Sequence, residues 1–488
     1  MTKFSFANIA ASGVLTEVQI ELIHENALTL LNDCGVYFND DEARKILEGA
    51  GCIVDNDSKI VKFPRNVVIK AIESSPEKFC LYDRDGEFYA EAGANNKPLF
   101  FPGGNSPTIL APEGECRPAS SRDLENLSKI ADFLPQYDLS TDMFTPTDVP
   151  EELIDAVTVY TMLKNTKKPL SLGYQEIKTI FDFVSALRES KEEAMNKPCT
   201  VIASAAFTPL KWERDSCQSI IDAARYKMPL FIYASPILGL ASPVTVAGAI
   251  LQDTIEVLSG IILAQAVNPG NPVIYGVYAS LFDMKSMNTP QSAIEAMMVS
   301  CGHGLMGKYY GMPTAAYAGA TDSKLVDYQA GLESCMSLEL AIRYGFDLII
   351  GSGALGTFAE MSLEKVVIDA EIIGMSKFFS EGIKVDEETL ARDLIAGMGH
   401  KGEYLNTDHT LGLYEENEYF PSAVIDRGTR EQWDSNGRQD IIGRAESLIN
   451  DIIIRPGNVL AGDKLEALNE AFRVIAREKG IDSDVFLK

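Results

Sequence analysis

The chain has 488 residues, 46% hydrophobic and 23% charged, and its 43 Lys and Arg against 70 Asp and Glu give a formal charge of −27. That length supports one large core with an appendage rather than a string of small domains, and the sign of the charge argues against a nucleic-acid surface. No run reaches the roughly 20 uncharged apolar residues that span a bilayer. The opening MTKFSFANIAASG lacks the apolar core of an export signal, so an acidic cytoplasmic protein is expected.

Residues 14–33 carry apolar side chains at helical spacing, opened by a capping box of Thr16 and Gln19. A second helix spans Asp40–Gly51, starting at an acidic cluster that suits a helix N-terminus. CIVDNDSKIVKF reads as a hairpin turning at Asp55–Ser58. A helix opened by Pro64 follows, then an extended tail through CLYDRDGEFYAEAG. Residues 1–95 are therefore expected to form a helical N-terminal subdomain leading into the main fold. His24, in mid-helix, is expected to be packed or solvated rather than a ligand.

From there strand-like runs alternate with helical spacers: 98–105, 138–146, 169–175, 199–209, 229–239, 272–280, 313–319 and 346–356. Eight strands alternating with helices predict an α/β fold, a (β/α)8 TIM barrel over 96–380. The spacer Pro243–Ala266 is apolar on most faces, as suits a helix pressed against a barrel. An open doubly wound sheet is the alternative, but it would want a Gly fingerprint after its first strand, and PGGN is not one. Residues 381–488 are expected to supply a C-terminal lid and helices. The polar, aromatic-rich stretch 397–421 is the lid, folded over the barrel mouth.

In such folds ligands sit at the carboxyl ends of the strands. Those ends offer Phe101, Asn105, Phe144, Tyr174, Phe207, Tyr233, Tyr275, Tyr278 and Tyr317, with Thr321 and Asp322 after the seventh strand. Rings converging there would suit a permanently charged cation with no N–H to donate, each contributing about 0.5–2 kcal/mol. The competing expectation is that half of them fill the barrel interior. The sequence has no Gly-rich phosphate loop, HExxH or Ser/His/Asp spacing. Its eight cysteines form no C-x-x-C, only four histidines exist, and no metal site is assigned; a zinc held by Cys301 and His303 has no spacing in its favour.

The stretch SPVTVAGAILQDTIEVLSGIILAQAVNPGNPVIYGVYASLFDMKSM, followed by YYGMPTAAYAGATDSKLVDYQAG, resembles the trimethylamine methyltransferase family. So do GGNSP and DLENL, TPTDVP, the CIVDNDSKIVKFP and SSPEKFCLYDRD segments, and GEYLNTDHTL, in order along nearly the whole chain. The resemblance implies a barrel enzyme that moves a methyl group from an amine to the Co(I) of a corrinoid, held by a separate corrinoid-binding protein. It also implies self-association into a homo-oligomer. Founding members use pyrrolysine for trimethylamine, and this chain has none. It is similar to the non-pyrrolysine branch, which implies a quaternary amine, glycine betaine first, with proline betaine and carnitine as alternatives. A tertiary amine leaving a quaternary nitrogen is neutral, so no general acid is required.

On that resemblance Tyr275, Tyr278 and Tyr317 are expected to form the cage, with Phe101, Phe144, Tyr174, Phe207 and Tyr233 as further walls. Asn105, Asp322 and Ser323 would position the substrate, although Asp322–Ser323 would equally cap the helix containing DYQAG. Phe358 follows the eighth strand, near where the family's pyrrolysine falls. His409 would hold the substrate's carboxylate or the lid, and His303 is expected to be structural. Two rival classes are a zinc enzyme and a non-catalytic betaine-binding sensor.

Overall fold

A computed structural model describes residues 13–93, 97–111, 114–173, 176–400, 402–483 and 486–487. Among them, eight parallel strands follow one another around a barrel: β1 Leu99–Pro102, β2 Ser140–Thr141, β3 Leu170–Gly173, β4 Thr200–Ala205, β5 Leu230–Ala234, β6 Val273–Val277, β7 Thr314–Tyr317 and β8 Leu348–Ser352. β8 pairs with β1, Leu348 opposite Leu99 and Ile350 opposite Phe101. The β1–β2 seam is held by the amides of Asp138 and Leu139 donating to the Phe100 carbonyl at 2.6 and 3.2 Å. Each strand is followed by an outer helix: α1 Ser121–Phe133, α2 Ile154–Asn165, α3 Ile177–Ala186, α4 Arg214–Arg225, α5 Val246–Val267, α6 Ile294–Tyr309, α7 Tyr328–Arg343 and α8 Leu363–Ser380. All eight strands lie within the predicted runs.

The N-terminal helices Glu17–Asp33, Asp41–Gly49 and Arg65–Ser74 pack on α5. α5 is thus covered by the barrel on one side and by these helices on the other, which explains its apolar composition on most faces. It is long and apolar enough to cross a membrane, but it is a core helix. The predicted Thr16–Gln19 capping box is formed in both directions. His24 is buried against Tyr309 at the end of α6 and Tyr310 just beyond it, and burial pulls its pKa down to about 4.

The tail expected to be merely extended is a hairpin, Lys78–Tyr82 with Phe88–Gly93. Its Phe79, Leu81 and Ala92 join Phe101, Phe231 and Ile350 in the barrel interior. The Tyr82 amide bonds Pro198 and the Arg84 amide bonds Lys167, both just ahead of barrel strands, so the hairpin plugs the amino end. With the hairpin packed there, the cavity among the described residues opens at the carboxyl end.

The C-terminal region clads the outer wall. Helix Ile441–Ile453 packs on α8 and α1, and helix Gly462–Glu478 packs on α2 and α3. The stretch expected to be a lid contains instead the helix Asp408–Asn417. Just beyond that helix the chain is fastened to the flank of α8, where the Tyr419 hydroxyl donates to Glu371 at 3.1 Å. The described side chains of this stretch are largely exposed, apolar Leu405, Leu411 and Phe420 among them.

Behind β7 and β8 lies a buried charge pair. Lys365 donates to Asp369 at 2.6 Å, to the Gly319 carbonyl at 2.6 Å and to Ser334 at 2.7 Å, while Asp369 accepts from the Gly353 amide at 2.8 Å. It fixes the backbone just past both strands. Replacing Lys365 by Met is expected to lower stability by about 3–5 kcal/mol, because Asp369 is left buried without its counter-charge. Replacing Asp369 by Leu in addition should recover part of that loss in urea unfolding.

Candidate active site

At the carboxyl end the barrel holds a cavity of about 210 Å³. One wall is aromatic. Tyr278 and Tyr317 meet edge-to-face with ring centroids 4.8 Å apart, and Phe358 lies 5.5 Å from Tyr278 and 5.6 Å from Tyr317. Tyr233 adds a fourth ring, 5.7 Å from Tyr317. The other wall comes from the ends of β1 to β4: Asn105, Thr141, Asp142, Ser171 and Ala203.

Phe358 reaches the cavity through an unusual turn. Gly356, Thr357 and Phe358 have φ of 53°, 62° and 63°, three successive residues in the left-handed region. For the two non-glycine residues this costs on the order of 1–3 kcal/mol each, so the surroundings must hold it. Asp322 does so: its Oδ1 accepts from the Thr357 hydroxyl at 2.8 Å and from the Gln291 amide at 3.0 Å, and its Oδ2 from the Ser292 amide at 2.9 Å. The Gly356 amide also donates to the Ser323 carbonyl at 2.8 Å. Asp322 thereby ties together the loops after β6, β7 and β8. The Phe358 ring then lies over Gly104, where a Cβ would come within 2.0 Å of it.

Asp142 stands at the end of β2 with 5% of its surface exposed. Its carboxylate is approached by the Thr141 hydroxyl at 3.2 Å, the Gly173 amide at 3.3 Å and the Asn105 amide at 3.4 Å. Asn105 in turn accepts from the Thr145 hydroxyl. Farther out, Glu256 of α5 accepts from the Thr208 hydroxyl and the Leu210 amide in the loop after β4. Burial pushes its pKa up to about 7.

Of the residues singled out in the sequence, the structure brings Asn105, Tyr233, Tyr278, Tyr317 and Phe358 to the cavity. Tyr275 is not among them. Its neighbour Ile274 takes the inward position on β6, so Tyr275 faces out and stacks on His303 of α6 at 4.2 Å. Phe101 lies in the interior packing beneath the cavity, and Phe144 is fully buried in the main core. Phe207 is 61% exposed on the loop after β4. Asp322 and Ser323 are spent on loop structure, and the cap of α7 is Asp327, which accepts from the Ala330 amide. His409 lies 3.3 Å from the Glu388 carbonyl within the C-terminal region, away from the cavity. Tyr174 is outside the described residues. His303 is buried against Asp253 at 2.6 Å, on the outer side of β6 rather than in a site with Cys301. Sequence reasoning missed Asp142, although strand ends were the right place to look. β2 stops at Thr141, so the residue at its end is Asp142 and not Phe144.

A sequence profile of the trimethylamine methyltransferase family matches residues 2–480. The chain belongs to that family. A glycine betaine methyltransferase of Desulfitobacterium hafniense is 31% identical over 426 residues, 86% of this chain and 88% of that one. A trimethylamine methyltransferase MttB of Methanosarcina thermophila is 29% identical, covering 92% of this chain and 94% of the other. In structure, the Methanosarcina barkeri monomethylamine methyltransferase MtmB superposes with a TM-score of 0.50 at 11% identity, covering 91% and 93% of the two chains. That likeness shows the fold, a barrel covering the same span. Membership makes the protein a methyltransferase.

Changing Gly104 to Ala is expected to expel the Phe358 ring, and changing Asp322 to Ala to release the turn that carries it. Both variants should stay folded and lose affinity for quaternary ammonium ligands by roughly 2- to 30-fold, one ring's contribution, measured by isothermal titration calorimetry.

Proposed function

We propose that the protein moves a methyl group from a quaternary amine to the Co(I) of a corrinoid carried on a separate protein. The observation that carries this reading is the cluster of Tyr278, Tyr317, Phe358 and Tyr233 at the open end of the barrel, facing the Asp142 carboxylate. A trialkylated nitrogen bearing a fourth carbon has no N–H, so hydrogen-bond acceptors alone cannot recognise it. Ring faces and a nearby negative charge can.

The reduced corrinoid supplies an electron-pair nucleophile for the methyl carbon. The C–N bond breaks with its electron pair remaining on nitrogen, and the departing tertiary amine is neutral. No proton has to be delivered to it. What remains for the chain is to hold the cation with one methyl directed at the mouth and to exclude bulk water with its rings. Rings suit this because nitrogen loses its charge during transfer, and a site that held the cation too firmly would retard the step.

An acceptor on another protein has to approach from the carboxyl face, since the hairpin closes the other end. The loops after β4, β5, β6 and β7 present exposed apolar side chains there, among them Phe207, Leu240, Met284, Met287 and Leu325. Such a surface suits a protein partner. The relative named for glycine betaine, and the absence of pyrrolysine from the sequence, both favour a quaternary over a tertiary amine.

The test is methylation of cob(I)alamin, followed spectroscopically, with glycine betaine, proline betaine, carnitine, choline and trimethylamine. At least one quaternary amine is expected to react and trimethylamine is not. In the reactive case, changing Tyr317 or Phe358 to Ala should each lower kcat/KM by roughly 2- to 30-fold. Silence across the panel, repeated with a cognate corrinoid protein, would contradict the reading; retained binding would then favour a non-catalytic sensor.

A further inference from the structure

The aromatic wall accepts any quaternary nitrogen, so it does not decide what else the substrate carries. The opposite wall can. Asp142 is 5% exposed and lines the cavity, so its carboxylate has left bulk water for a space it shares with the ligand. The other described residues lining that space are neutral: Tyr233, Tyr278, Tyr317 and Phe358 on one side, Asn105, Thr141, Ser171 and Ser235 among the polar ones.

We propose that Asp142 is a specificity-determining residue that makes the site select by net charge. A quaternary ammonium whose fourth substituent is neutral, an alkyl group or an alcohol, binds more tightly than one whose fourth substituent ends in a carboxylate. This rests on the reading of the cavity as a quaternary ammonium site. The attraction between Asp142 and a nitrogen without N–H is Coulombic and needs no hydrogen-bond geometry, so it acts across the ligand's methyl groups. A betaine carries its own carboxylate two bonds from that nitrogen. A nitrogen seated between the rings and Asp142 brings that tethered negative charge along with it, so repulsion from Asp142 offsets part of the attraction. Like charges at short range in a partly dehydrated space oppose binding. A hydroxyl in the same position finds Thr141, Ser171 and Asn105 as hydrogen-bonding neighbours.

The role is separable from loop structure, although Asp142 also draws together Asn105 of the β1 loop and the Gly173 amide of β3. An uncharged ligand of the same shape feels the loops and not the charge. Dimethylbutanol, the carbon isostere of choline, is that ligand.

The experiment is isothermal titration calorimetry of the full chain, without corrinoid, against choline, tetramethylammonium, glycine betaine and dimethylbutanol. Choline is expected to bind about tenfold or more tighter than glycine betaine and than dimethylbutanol. In Asp142→Asn, choline should weaken by about tenfold or more, dimethylbutanol should change by less than about twofold, and the gap between choline and glycine betaine should narrow. A wild-type protein that binds glycine betaine as tightly as choline would overturn the proposal, as would failure to bind any of the four. So would a variant that loses dimethylbutanol as much as choline, which would leave Asp142 a loop-shaping role only. If the variant does not fold, the wild-type ranking decides alone. Methyl transfer is a separate readout: charge selection without transfer sinks the proposed reaction, and transfer with glycine betaine preferred sinks this inference alone.

Discussion

Two close approaches at the seam between the last and first strands make the cavity what it is. Gly103 passes Gly351 so tightly that a Cβ on Gly103 would fall 2.1 Å from the Gly351 amide nitrogen, and Gly104 leaves room for the Phe358 ring where a Cβ would be 2.0 Å away. With side chains at those positions β8 and β1 could not lie this close, and Phe358 could not lean over the first strand to meet Tyr278 and Tyr317. Gly104 itself has φ of +89°, a conformation open to glycine. The PGGN segment is thus a closure device.

Strain and buried charge sit next to this seam for a common reason. The left-handed turn at Gly356–Phe358 is unfavourable by itself, and three loops must be pinned before it can persist. Asp322 does the pinning from the front, accepting from Thr357, Gln291 and Ser292. Lys365 and Asp369 do it from behind, by fixing the backbone at Gly319 and Gly353. Burial pushes the Lys365 pKa down and that of Asp369 up, and each charge offsets part of the other's cost. Polar groups behind the cavity wall therefore position the rings that line it.

Much of the fold could be read from the sequence, because each apolar run ends in small or polar residues and the runs recur at helix-length spacing. Which aromatics reach the cavity was harder to read. Along β6 side chains alternate sides, so the choice between Tyr275 and an inward neighbour turns on register, and Ile274 takes the inward place. Tyr278 escapes that rule because it lies beyond the end of the strand at Val277. The plugging hairpin reads as a plain extended tail because its partner, the barrel interior, is remote in sequence. His409 was drawn toward the site by the expectation of a lid. The region that carries it attaches instead to the outside of α8, through Tyr419 and Glu371.

The most direct measurement is a crystal structure of the protein soaked with tetramethylarsonium, whose arsenic marks a quaternary centre by anomalous scattering. A single strong peak is expected inside the cavity, within about 6 Å of the Tyr278, Tyr317 and Phe358 ring centroids, on the side facing Asp142. A peak elsewhere on the barrel, or an empty cavity at saturating ligand, would contradict that expectation.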